Sequence, residues 1–81
     1  MRVDKYLKVS RIIKRRTIAQ EFCRAQKVKI NGKTAKPSDP LRLGDIVSIQ
    51  FGMKIVEFEV LELREGSTKD NAAQMYREVI S

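Results

Sequence analysis

Hydrophobic positions along the chain change their spacing several times, and each change marks an element. Over residues 2–12, Val3, Tyr6, Leu7 and Ser10 share one helical face, while Arg2, Lys5 and Lys8 lie outside it. This predicts a first helix, with Ile12 and Ile13 finishing it and tucking into the core. Asp4 stands near its start, where negative charge is favoured, and one turn before Lys8, as an i, i+4 pair. Residues 18–25 predict a second, short helix, because Ile18, Ala19, Phe22 and Cys23 fall on one face. Thr17 and Gln20 just ahead have the spacing of a capping box, in which hydroxyl and amide each satisfy a free backbone N–H.

From Lys27 the period drops to two. Val28 and Ile30 point inward and Lys27 and Lys29 outward, and Asn31-Gly32 is a strong hairpin signal because both central turn positions need positive φ. Lys33 to Lys36 is the return arm. Pro37-Ser-Asp-Pro40 breaks the pattern, and Gly44-Asp45 turns the chain again. Ile46, Val47, Ile49 and Phe51 predict a strand, Gly52-Met53 a turn, and Ile55 to Leu63 the next strand, with Glu57, Glu59 and Glu62 at its polar positions. A slip in alternation at Val60-Leu61-Glu62 suggests a bulge, and Glu65-Gly66-Ser67 ends the strand. Residues 69–80 predict a last helix, with Asp70 as N-cap and Ala72, Ala73, Tyr76, Val79 and Ile80 on one face. The expectation is an α+β fold in one domain. Two N-terminal helices pack on a small, mostly antiparallel sheet of four to five strands. Residues 64–81 form a linker and a C-terminal helix.

Eighty-one residues lie near the lower size for a single core without staples. The one cysteine, Cys23, excludes an internal disulfide, and the lack of histidine removes the usual zinc, iron and copper sites, so no metal or cofactor is expected. Cys23 lies on an apolar face, where burial is the expected fate. No constellation of an enzyme is visible. No apolar run reaches the ~20 residues of a membrane span, and MRVDKYLKV lacks the apolar core of a signal peptide. A cytoplasmic protein without membrane contact is expected.

Charge sharpens the picture. The net charge is +7, but residues 1–36 carry twelve Lys/Arg against two Asp/Glu, whereas residues 37–81 carry five against eight. A basic half joined to a mildly acidic half points to one face made for a polyanion. Lys14, Arg15 and Arg16 cluster at the start of the second helix, where free N–H groups and the helix dipole favour phosphate. Lys27, Lys29, Lys33 and Lys36 border the hairpin; strand-edge lysines also serve to block edge pairing. A regulator that inserts its second helix into a DNA groove is a rival, but Glu21 on that face would repel phosphate. A protein adaptor using the acidic strand and last helix is a further one.

Taken together, Arg2-Val-Asp-Lys-Tyr-Leu, Lys14-Arg-Arg-Thr-Ile-Ala, Lys27-Val-Lys-Ile-Asn-Gly-Lys, Lys36-Pro-Ser and Leu43-Gly-Asp resemble the RNA-binding domain family named after small-subunit ribosomal protein S four. The likeness covers roughly residues 1–50. The Phe51-Gly-Met-Lys turn and the tail Asn71-Ala-Ala-Gln-Met-Tyr look like the short stand-alone bacterial members, and the chain is also similar to the small heat-shock member. The resemblance implies RNA held across the second helix start and the hairpin. It implies a ribosome-associated quality-control role: binding large ribosomal subunits obstructed by peptidyl-tRNA, touching rRNA and tRNA, and supporting tail elongation by a partner factor, with the chain itself a monomer. A general rRNA-binding or ribosome-assembly role is the alternative. Arg2 and Arg16 are the first RNA-binding residues implied, with Lys5, Arg11, Lys14, Arg15, Lys27, Lys33 and Lys36 beside them. Family members carry glycine at the position of Gln26, so either the second helix ends differently here or Gln26 accepts a left-handed conformation.

Overall fold

The computed structural model describes residues 1–66 and 69–79, with the side chains of Lys69 and Asp70 outside the description. The elements are α1 (Val3–Val9), α2 (Arg16–Arg24), β1 (Val28–Ile30), β2 (Lys33–Thr34), β3 (Ile46–Phe51), β4 (Lys54–Val60), a single helical turn α3 (Lys69–Ala72) continued as a 3-10 turn (Ala73–Met75), and β5 (Tyr76–Glu78). The fold is α+β as expected. All five strands run antiparallel in one sheet, in the order β2-β1-β3-β4-β5.

Alternation along the strands decides which face is covered. Val28, Val47, Ile49, Phe58 and Val60 point to one face and are buried against Val3, Tyr6 and Leu7 of α1 and Ala19 and Cys23 of α2. The register Lys29↔Ser48↔Glu57 places the intervening side chains on the opposite face, away from α1 and α2. Asn31 (φ 51°) and Gly32 (φ 85°) form the two-residue turn between β1 and β2 that the sequence predicts. The return arm is shorter than expected, ending at Thr34 before the Pro37–Pro40 break.

Several boundaries differ from the sequence reading. Helix α1 stops at Val9 rather than residue 12, because the Ser10 hydroxyl donates back to the Leu7 carbonyl at 3.3 Å and Arg11 turns left-handed at φ 64°. Ile13 is nonetheless buried and Ile12 half-buried. Helix α2 begins at Arg16, not residue 18, and no side chain caps it, so the Thr17–Gln20 capping box does not form. Helix α2 ends through Gln26 in the left-handed region, at φ 62°. The Gln26 N–H donates to the Cys23 carbonyl at 3.0 Å and the Lys27 N–H to the Phe22 carbonyl at 2.9 Å. Those two bonds satisfy carbonyls the helix would leave open and offset the ~1 kcal/mol that a non-glycine residue costs there.

The main correction lies at the C-terminus. The predicted helix over 69–80 is one turn and a 3-10 turn, and Tyr76–Glu78 is a strand on the outer edge of β4. Asp70 lies inside the turn rather than before it, and Ile80 lies outside the described residues. Helical spacing of Ala72, Ala73, Tyr76 and Val79 is a poor guide because so short a helix is marginal alone, while the edge of β4 offers a row of unpaired backbone groups. Tyr76 then stacks near Phe58 at 5.6 Å between ring centroids, and Arg77 pairs with Glu59 across the strands. Strand β4 ends at Val60 rather than Leu63, so the slip at Val60-Leu61-Glu62 marks the end of the strand and not a bulge within it: the N–H groups of Leu61 and Glu62 both donate to the Met75 carbonyl of the 3-10 turn, at 2.8 and 3.2 Å.

That carbonyl also accepts the buried Tyr6 hydroxyl at 2.7 Å, which ties α1 to the C-terminal segment. Burial pushes the Tyr6 phenol well above its usual range, with Tyr76 and Glu62 adding to the effect, so it stays a donor at any working pH. Tyr6→Phe removes one of three donors to an otherwise satisfied carbonyl. Urea denaturation is expected to show a loss of about 1 kcal/mol with an unchanged denaturant slope.

Candidate nucleic-acid interface

The most basic stretch of the chain is organised by an acid. Asp4 is wholly buried, with its carboxylate at the junction of α1 and α2. It accepts the Lys5 backbone N–H at 2.7 Å, the Gln20 amide at 3.0 Å and a terminal guanidinium nitrogen of Arg2 at 3.0 Å. Arg16 approaches with its fork, Nη2 to Oδ1 and Nε to Oδ2, both at 3.3 Å. The capping box is missing because α2 starts at Arg16, which puts Thr17 inside the helix rather than at its cap, and the Gln20 amide nitrogen donates instead to the buried carboxylate. These contacts also replace the expected Asp4–Lys8 pair.

Burial by itself raises the Asp4 carboxyl pKa. Hydrogen bonds from Gln20, Arg16 and the Lys5 N–H, together with the Arg16 charge, outweigh it and hold the group below its ordinary value. Asp4 is therefore an anion at neutral pH, fixing two cations whose side chains remain 49% (Arg2) and 42% (Arg16) exposed. Each guanidinium spends some N–H groups on Asp4 and keeps others for a ligand. The planar fork suits a phosphate as well as a carboxylate.

Backbone contacts hold Arg2 from the other side. The start of α1 is closed by the loop 37–41: the Val3 N–H donates to the Asp39 carbonyl at 2.8 Å, the Asp4 N–H to the Pro37 carbonyl at 3.3 Å, and the Leu41 N–H to the Met1 carbonyl at 2.8 Å. Arg2 itself bridges Pro40. Asp39 also accepts the Lys36 backbone N–H at 2.8 Å. The start of α1 is thus occupied by the protein's own carbonyls, whereas α2 begins uncapped beside exposed Arg15 and Arg16.

Not every expected residue joins this site. Arg2 and Arg16 meet on Asp4, and Lys33 shares a shallow cleft with Asn31, Asp39 and Pro40, on the loop that seats Arg2. Arg15 and Lys36 are exposed, one directly before Arg16 in the chain and the other just before the 37–41 loop. Arg11 and Lys14 line a separate cleft with Lys8, a residue that sequence reasoning does not place in the set. Lys5 turns to Glu65 in an exposed ion pair that holds the Glu65 carboxyl below its usual value, so part of its charge is already answered. Lys27 lies along a groove with Lys29, Ser48 and Gln50 on the uncovered face of the sheet, its Nζ 5.5 Å from the Phe22 ring centre. Sequence reasoning also misses the roles of Asp4 and Gln20. The available signal is that only Asp4 and Glu21 are acidic among the first 36 residues.

Residues 1–47 match the S4 domain family, and the chain belongs to that family. Among its relatives, it is 52% identical over 81 residues to the RQC P-site tRNA stabilizing factor of Streptococcus pneumoniae, spanning all of this chain and 91% of that protein. It is 47% identical over 76 residues to the protein of the same name in Bacillus subtilis, covering 94% and 88% of the two chains. Its fold resembles that of Vibrio cholerae heat shock protein 15, solved as a trimer, with a TM-score of 0.90 at 29% identity over 98% of this chain and 81% of that one.

Asp4→Asn keeps the shape and removes the anion. Hydrogen bonds to a charged group contribute about 1.5–3 kcal/mol each, so a loss of a few kcal/mol is expected at pH 7. Because the folded-state pKa is depressed, this contribution is present above the unfolded-state value and disappears as pH falls through the folded value. Urea curves from neutral pH into the acid range should show the gap between wild type and Asp4→Asn closing below the ordinary carboxylate range.

Proposed function

We propose that the chain is an RNA-binding factor of ribosome-associated quality control, acting in the cytoplasm on large ribosomal subunits obstructed by peptidyl-tRNA. In this reading it contacts rRNA and tRNA and supports tail elongation of the stalled chain by a partner factor, and it acts as a monomer. The observation that carries the reading is the Arg2–Arg16 pair held by buried Asp4, in a chain whose relatives bear the name RQC P-site tRNA stabilizing factor.

The action is binding without chemistry. Structured RNA hides its base edges in a deep groove and is recognised through backbone and shape. Guanidiniums already oriented by Asp4 lose little rotamer freedom when they meet phosphates, which lowers the cost of binding. Each phosphate neutralised releases counterions, so affinity falls steeply with salt. Cys23, the one thiol, is buried and its pKa is pushed up to about 11, first by burial and then by the charges of Asp4 and Asp39 against the opposing Arg24. Very little thiolate exists at neutral pH, which supports a structural part for this residue.

Arg16→Ala is expected to abolish association with large subunits in sucrose-gradient co-sedimentation at modest salt while leaving the circular dichroism spectrum of the fold in place. The residual RNA affinity should depend less on salt, its log–log slope shallower by about one for each phosphate that the variant no longer neutralises. Normal co-sedimentation of that variant would show that the interface lies elsewhere.

A further inference from the structure

Two clefts meet beside Arg11, away from the Arg2–Arg16 pair. The first, about 460 Å³, runs between Lys8, Arg11 and Lys14 on one side and Ala72, Ala73 and Tyr76 on the other. No carboxylate is among its described lining residues, and all three cations are exposed. The second, about 260 Å³, is lined by Ile12, Phe51, Val56 and Phe58, with exposed Glu78 at its edge. Arg11 and Tyr76 line both, so the two clefts adjoin along these side chains.

Each cleft answers a different kind of chemistry. The first is cationic and open. Its central residue, Arg11, is held left-handed at φ 64°, a conformation glycine would adopt without cost; an arginine there keeps a guanidinium at the boundary of the two clefts. The second is aromatic. Phe51 is 37% exposed and Tyr76 half-buried, the latter held from behind by buried Phe58 at 5.6 Å, ring centre to ring centre. At 260 Å³ it falls below the roughly 300–1,000 Å³ of pockets that enclose a drug-sized ligand. It has room for one planar ring system, not for a duplex or a folded peptide.

We propose that the joined clefts take one unstacked RNA nucleotide, its phosphate against Lys8, Arg11 and Lys14 and its base against Phe51 and Tyr76. A nucleotide carries its anion and its π-face on opposite sides of a sugar, which is the division seen here. Glu78 supplies an acceptor for a base N–H at the rim. Unpaired bases splayed from loops and bulges are the parts of RNA that aromatic side chains recognise. Lys14 stands two positions before Arg16 in the chain. An acidic peptide would satisfy the cations but not the aromatic half of the site. The inference rests on the RNA-binding reading, and adds to it a contact with a base where the Asp4 site contacts only backbone.

The test compares two labelled RNA hairpins of identical stem by fluorescence anisotropy, one with a single unpaired adenosine and the other with an abasic residue at that position. Wild-type protein is expected to favour the unpaired adenosine by about tenfold, the value of one base stacked on an aromatic ring. Phe51→Ala should erase the preference while keeping affinity for the abasic hairpin, and Lys8→Ala should weaken both hairpins alike. A 2-aminopurine at the unpaired position gives a second readout on unaltered protein, its emission changing as the base leaves the stem for the cleft. Hairpins bound within about twofold of each other, with no 2-aminopurine response, overturn the base site while leaving the RNA-binding reading standing. Failure to bind either hairpin removes both. Displacement of bound RNA from wild type but not from Phe51→Ala by a glutamate-rich peptide with one tryptophan, without any adenosine preference, overturns it in favour of a protein ligand.

Discussion

A carboxylate with no exposed surface sits among four donors, and the rest of the molecule is arranged so that it can. Removing an ion from water costs several kcal/mol even after relaxation. Each hydrogen bond to a charged group returns about 1.5–3 kcal/mol, so a single partner would leave Asp4 neutral or exposed. The donors come from three places: Arg2 just before α1, the first turn of α1 at Lys5, and Arg16 and Gln20 on α2. Their convergence turns the penalty of burial into a lock between the two helices. The sum of one anion and two guanidiniums stays positive, so the lock also faces outward as a cationic site.

The sheet decides how far that site extends. Because β1, β3 and β4 cover only one face with helices, the basic residues of the hairpin divide. Lys33 falls beside the loop that holds Arg2, while Lys27 and Lys29 run along the uncovered face. The cations of the α1–α2 connection, Arg11 and Lys14, look toward β5 and the 3-10 turn instead. Charge that is one block in the sequence is therefore parcelled into neighbouring surfaces with different surroundings, and only some of it lies where a single phosphate strand could run.

What could be read from the sequence was local. Strand alternation located Val28, Val47, Ile49 and Phe58 in the core, Asn31-Gly32 defined its turn, and the break at Val60-Leu61-Glu62 marked where β4 stops. Arg2 and Arg16 came from family resemblance, and nothing in their spacing announced that they meet. What escaped depended on partners distant in the chain. Gln20 has the right spacing to cap its own helix, but the helix starts earlier, at Arg16, and the Gln20 amide nitrogen donates to a carboxylate sixteen residues away. Lys5 looks like a free cation until Glu65 comes near. The segment after Asn71 has helical periodicity, and only the open edge of β4 makes a strand of it. Gln26 shows the reverse: a residue type poorly suited to its position is carried there by two backbone bonds.

The Met75 carbonyl joins residues 6, 61 and 62, and its bond from Tyr6 spans 69 positions. Contacts between the two ends of a chain form late, because the intervening loop must be ordered first. Seating of the first helix therefore depends on residues 61, 62 and 75 at the far side of the fold, and the Asp4 contacts at its start are braced by a segment more than sixty positions away.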